Sequence, residues 1–165
     1  MKKPIITVFL LLIGLGWSPK TTSAQNAKFY ALFMAKFTDY IQWPNSNDQI
    51  VIGVYGSQDI ISELKKYSAS KKNIGVMDIS SVNDAQKCQI VFLADSKNSE
   101  FESINLGIDG KDILLVTENE SFIKKGAGIS FYLEGTKLRF KLNKQTMDAK
   151  NLKVGGSLLS LADVV

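Results

Sequence analysis

Histidine is absent from the 165 residues, and cysteine occurs once, at Cys88. The first absence removes imidazole as a general base and as a metal ligand, and with a single thiol it removes nearly every zinc-site pattern. The second forbids an intrachain disulfide. In an oxidising compartment Cys88 then has two readings, an inert buried thiol or an intermolecular bridge, and its neighbours Ile90, Val91, Phe92 and Leu93 favour the buried thiol. No G-x-S-x-G elbow, G-x-G-x-x-G turn or Gly-Lys-Ser/Thr phosphate loop occurs. The carboxylates are scattered rather than paired at a recognisable spacing, so catalysis is the least favoured class and no metal or cofactor is implied. Arginine is nearly missing too, with Arg139 alone.

What is present begins with a leader. Lys2 and Lys3 precede an apolar run over residues 5–15, and a small-residue stretch ends at Thr22, Ser23 and Ala24. This is the layout of a secretory signal peptide cleaved after Ala24, and the run is short for a membrane span, although a signal anchor is the alternative. Cleavage deletes Lys2, Lys3 and Lys20 and no acid, so the formal charge falls from +4 to +1. That balance supplies no basic surface for nucleic acid. Residues 25–165 suit one domain with a single core, and with no cysteine near the cleavage site to carry a lipid a soluble exported product is expected.

Along the chain, residues 27–41 combine good helix formers with Phe29, Phe33, Phe37, Tyr40 and Ile41 at helical spacing, and Pro44 ends the segment. Such a stripe reads first as core, yet Trp43 at the helix exit is a candidate pocket residue. Residues 45–49 form a polar loop. Residues 50–55, IVIGVY, read as a buried strand that turns through Gly56 and Ser57 into a helix over 59–67. A free helix start can hold an anion, but Gly53 and Gly56 do not make G-x-G-x-x-G and no phosphate loop is present, so a purely structural turn is the favoured reading. Residues 75–79 make a second strand and residues 80–86 a loop or short helix. Residues 88–94 are another apolar strand, with Asp95 and Ser96 at its end. Those two either cap a following helix or face a ligand. Residues 113–117 form a third apolar strand ending at Glu118 and Asn119, followed by a short helix over 121–125.

Residues 126–143, GAGISFYLEGTKLRFKLN, carry the sharpest local signal. Ile129, Phe131 and Leu133 alternate with Ser130, Tyr132 and Glu134, as Leu138, Phe140 and Leu142 do with Lys137, Arg139 and Lys141. A II′ turn at Gly135–Thr136 places Leu133 opposite Leu138, Phe131 opposite Phe140 and Ile129 opposite Leu142. On the other, wet face Glu134 meets Lys137 as an ion pair, Tyr132 meets Arg139 in a cation–π contact, and Ser130 meets Lys141. After a helix over 144–151, the spacing of Leu158, Leu161, Ala162 and Val165 predicts a last amphipathic helix from about Ser157. The fold class is α/β: a mixed β-sheet flanked by helices, with a C-terminal antiparallel hairpin followed by a leucine-rich helix.

Taken in this order, KFTDYIQWP, IVIGVYG, KCQIVFLA, DILLVTE, GAGISFYLEGTKLRFKLN and the tail LKVGGSLLSLAD resemble the YfiR family of exported bacterial regulators, also called domain of unknown function 4154. The resemblance covers nearly all of residues 25–165. It implies a periplasmic, non-enzymatic regulator that binds the periplasmic sensor domain of an inner-membrane signalling protein, of diguanylate cyclase type, and represses it, so that release raises cyclic di-GMP and biofilm formation. It also implies a possible homodimer. Family members are described with disulfides, but Cys88 has no upstream partner here, so gating through an intrachain disulfide is excluded.

The candidate contact surface for such a partner is the hairpin's outer face, Tyr132, Glu134, Lys137, Arg139 and Lys141; the plainer reading is an edge strand guarded by lysines. The alternative function is a periplasmic small-ligand-binding module, with Trp43, Ser57, Asp95, Ser96, Glu118 and Asn119 framing a pocket.

Overall fold

The computed structural model describes residues 21–44 and 49–165, and of residues 21–24 the backbone alone. The expected leader up to residue 20 and residues 45–48 of the expected loop lie outside the described residues. The elements are α1 (Thr21–Tyr40), β1 (Ile41–Gln42), β2 (Ile50–Tyr55), α2 (Gln58–Ser70), β3 (Ile74–Asp78), α3 (Val82–Ala85), β4 (Ile90–Leu93), α4 (Phe101–Gly107), β5 (Leu114–Thr117), β6 (Ile129–Glu134), β7 (Lys137–Leu142), α5 (Lys144–Ala149), β8 (Lys153–Val154), α6 (Gly156–Leu159) and β9 (Asp163–Val164). Short 3₁₀ turns cover Asp95–Glu100 and Glu120–Lys125.

Seven strands form one mixed sheet in the order β3-β2-β4-β5-β6-β7-β9. From β3 to β6 neighbours run parallel, β7 returns antiparallel to β6, and β9 runs parallel to β7. The chain goes from β2 to one side to make β3, then crosses to the other side to make β4. The strand order therefore reverses between β2 and β4, and in open α/β sheets the crevice beyond the carboxyl ends at such a reversal is where ligands bind.

Successive side chains of the central strands enter two different cores. Ile90 and Phe92 join α1, α2 and Met147 on one face, whereas Val91 and Leu93 join Phe101, Ile104 and Phe122 on the other. The sheet is thus buried on both sides, which is why β4 and β5 read as unbroken apolar runs rather than alternating ones. On the α1 face Tyr30, Phe33, Phe37, Phe131 and Phe140 form an aromatic cluster, with ring centroids of Tyr30 and Phe131 4.9 Å apart and of Phe37 and Phe140 5.5 Å apart. Such pairs add about 0.5–1.5 kcal/mol each beyond their buried area.

The hairpin has the expected register at all six pairs, from Glu134–Lys137 at the tip to Ile129–Leu142 at the base. Gly135 takes a positive φ of 62° and Thr136 does not, as a II′ turn requires. Three expectations need correction. The stripe of α1 is turned: Ala27, Tyr30, Ala31, Met34 and Phe37 are buried, while Phe29 and Tyr40 are exposed. The helix is apolar around most of its girth, and its packing against the sheet and α2 selects the face. The wet face of the hairpin is dry at its base, where Ser130 is buried and shares a 2.8 Å hydroxyl contact with Thr117. The last helix stops at Leu159, and Asp163–Val164 instead adds β9 to the sheet beside Lys141 and Leu142.

Candidate functional site

Tyr55, Leu93 and Thr117 end β2, β4 and β5, and the next few residues of each segment, together with the first turns of α1, frame a cleft of about 400 Å³. Its lining includes Asn26, Tyr30, Ser57, Asp59, Asp95 and Glu118, with Leu133 projecting from the hairpin. An adjoining cleft of about 550 Å³ shares Tyr30, Asp95, Glu118 and Leu133 and continues over Asn98, Asn119 and Glu120 to Tyr132. The two are lobes of one groove along the carboxyl edge of the sheet.

Local hydrogen bonds set these side chains. Ser57 caps α2, its hydroxyl accepting from the Ile60 amide at 3.4 Å. Gly56 holds φ at 95°, and a Cβ there would stand 2.8 Å from Ser96 Oγ, so only glycine lets the β4 exit close over it. Ser96 closes it by donating to the Gly56 carbonyl at 3.1 Å. Asp95 was expected to cap the following helix. The residue before that turn is Ala94, with no side-chain cap, and the Asp95 carboxylate instead accepts from the Asn98 amide at 3.1 Å. The Asp95 backbone N–H donates to Glu118 Oε2 at 2.6 Å, which ties the ends of β4 and β5 together. Burial pushes the Glu118 carboxyl above its ordinary range, opposed by that amide bond and reinforced by the Asp95 charge. Burial first, then the charges of Glu118 and Asp95, push the Tyr30 phenol upward.

Of the six residues expected to frame a pocket, Ser57, Asp95, Glu118 and Asn119 converge on this groove. Asn119 is largely spent as a cap, accepting from Ser121 N–H at 3.0 Å. Ser96 is occupied with Gly56. Trp43 is elsewhere: it is buried in the α1-side core, past the far end of a helix whose Tyr30-to-Tyr40 stretch alone spans about 15 Å. Tyr30, Asp59 and Leu133 were not expected. Tyr30 stood in a helix whose many aromatics masked its orientation, and Leu133 read as core although it is 54% exposed, because the hairpin tip overshoots the sheet. An anion at the start of α2 is disfavoured by Asp59, Asp95 and Glu118 around it.

The five residues of the hairpin's outer face do share one surface, but their pairing differs from expectation. Glu134 joins Arg139 at 3.6 Å rather than Lys137, and Arg139 also reaches Asp163 at 4.0 Å. Lys141, not Arg139, lies over the Tyr132 ring, 5.6 Å from its centroid, and binds Glu120 at 2.6 Å. The Tyr132 hydroxyl donates to Asp163. The basic stripe is therefore interleaved with acids, and β9, which brings Asp163, is the reason. Because β9 pairs only with Lys141 and Leu142, the outer edge of β7 at Leu138–Phe140 meets no strand among the described residues. Beside it, Phe29, Phe33, Leu138, Phe140 and Leu161 line an apolar groove of about 490 Å³ with Lys137 and Arg139 on its rim.

Cys88 is 1% exposed, its thiol directed at the Asp84 carbonyl at 3.5 Å. Burial, aided by Asp84, pushes that thiol up to about 11, the behaviour of an inert core cysteine. Among the described residues no group of three His, Cys, Asp or Glu side chains is placed to hold a metal ion, and no helix is long and apolar enough to cross a membrane.

The model of the YfiR/HmsC-like family, DUF4154, matches residues 27–163. The chain belongs to that family. No curated protein matches this YfiR/HmsC-like chain. Among solved structures it is similar to a conserved domain protein from Vibrio cholerae, with a TM-score of 0.56 at 12% identity over 84% of this chain and 59% of the other. It is also similar to an ABC domain from Streptococcus pneumoniae solved in complex with L-Trp, with a TM-score of 0.59 at 14% identity over 84% and 61%. At those identities the likeness is one of fold, and the chain spans about three fifths of the length of each.

Proposed function

We propose that the chain is an exported, non-enzymatic regulator that binds the periplasmic sensor domain of an inner-membrane signalling protein, of diguanylate cyclase type, and represses it. The observation that carries the reading is the family match across residues 27–163, within a family whose described members act in this way. The contact surface in this proposal is the outer face of the hairpin, Tyr132, Glu134, Lys137, Arg139 and Lys141, together with the adjacent apolar groove. Three features support that choice. Tyr and Arg are favoured where interfaces concentrate binding energy, the groove leaves Phe29 and Leu161 exposed, and the β7 edge at Leu138–Phe140 is open. The effect is a coupling free energy between free and bound receptor rather than a reaction.

The test is cyclic di-GMP in cells expressing an inner-membrane diguanylate cyclase with a periplasmic sensor domain, with and without co-expression of this chain. Repression predicts a fall when the exported chain is present and a return to the starting level with Arg139→Glu. An unchanged nucleotide level removes the reading, and a rise reverses its sign.

A further inference from the structure

We propose that the groove beyond the carboxyl ends of β2, β4 and β5 binds a small organic cation with more than one ammonium group, an aliphatic di- or polyamine. The site lies on other residues than the apolar groove, and only its second lobe reaches the hairpin face, at Tyr132 and at Glu120, which pairs with Lys141.

Its two lobes are lined by Asp59, Asp95, Glu118 and Glu120, of which Glu120 is already paired with Lys141, and no lysine or arginine is itself part of the lining. Among the remaining polar groups Ser57 and Asn119 are engaged as caps and Tyr132 bonds Asp163, which leaves Tyr30 and Asn98 as the groups that matter. Tyr30 is nine-tenths buried and its phenol has no hydrogen-bond partner among the described residues, although it lies within electrostatic reach of Glu118 and Asp95. Asn98 Oδ1 is buried without a donor. A buried acceptor left unpaired costs about 1–3 kcal/mol, so the groove is poised for a ligand that brings N–H donors and positive charge. An ammonium brings three donors and a unit charge.

The spacing of the acids decides between a metal ion and an organic cation. No three of them converge closely enough to hold a metal ion among the described residues. They are strung along the two lobes instead, so a bare ion at one point satisfies few of them, and a chain with ammonium groups at intervals satisfies several. Ala27, Ile60 and the exposed Leu133 supply apolar surface for the methylenes between those groups.

Titration calorimetry of the exported chain at physiological ionic strength tests this, with spermidine and cadaverine as probes and calcium as the metal arm. The expected result is saturable binding of spermidine at one site, weakened about tenfold or more by Glu118→Gln and by Asp95→Asn, and unchanged by Glu102→Gln, an exposed acid on α4. Circular dichroism of each variant verifies the fold, and Tyr30→Phe gives a third reading should either acid variant unfold. Absence of saturable amine binding overturns the proposal. So does binding that Glu118→Gln leaves unchanged, or tighter binding of calcium than of spermidine.

Discussion

Glu118 shows how a single side chain links the sheet to the groove. Its carboxylate holds the Asp95 amide at 2.6 Å while burial raises its pKa. Between the ordinary glutamate value, about 4.3, and the raised folded value, the folded chain binds more protons than the unfolded chain. Stability therefore falls as pH rises through that window and stays lowered above it. Glu118→Gln keeps an acceptor for the Asp95 amide and removes the charge. Urea unfolding should find the variant more stable than the parent at neutral pH, with the difference vanishing below the window; a less stable variant at neutral pH would mean that the carboxylate is a net stabiliser. Cys88 was legible from its apolar neighbours alone. Glu118 was legible only as a strand-end acid, because its partner Asp95 is brought to it by the sheet.

At the level of elements, the register of the hairpin is legible to the residue because its signal is local: period-two alternation on both strands and a glycine where the turn needs it. The faces of α1 are not, since apart from Lys28, Lys36, Thr38 and Asp39 the positions from Ala27 to Ile41 are alanine, aliphatic or aromatic and only the packing chooses between them. The tail likewise matched a helical period, and the open edge of β7 drew Asp163 and Val164 into a strand instead. Gly53 in β2 marks a tight contact between elements that its place in a strand only hints at. A Cβ there would lie 2.5 Å from Cys88 Sγ and 3.1 Å from Ile79 Cγ2, so β2 and the segments carrying Ile79 and Cys88 close because the side chain is missing. Gly53→Ala should destabilise the chain by about 1–3 kcal/mol in chemical unfolding, the usual cost of overpacking. A neutral result would show that Ile79 and Cys88 yield without strain.

For the molecule as a whole, the α/β class and the succession from β2 to β7 followed from composition and periodicity, while the short strands β1, β8 and β9 and the reversal of strand order between β2 and β4 needed the structure. That reversal gathers Ser57, Asp95 and Glu118, residues up to 61 positions apart, at one edge, while the α1–hairpin groove occupies another place. The chain therefore presents two grooves, one lined by acids and one apolar with a mixed-charge rim, and the acidic one meets the hairpin face at Tyr132 and Glu120. Occupancy of the first can bias the second only through differential affinity for the two states. The most direct measurement is equilibrium binding of residues 25–165 to the periplasmic sensor domain of an inner-membrane diguanylate cyclase, by titration calorimetry, against Arg139→Glu. The account predicts saturable binding by the parent and a loss of about 1.4 kcal/mol or more, at least tenfold, in a variant of unchanged circular dichroism. No binding by the parent, or equal binding by the variant, would contradict it.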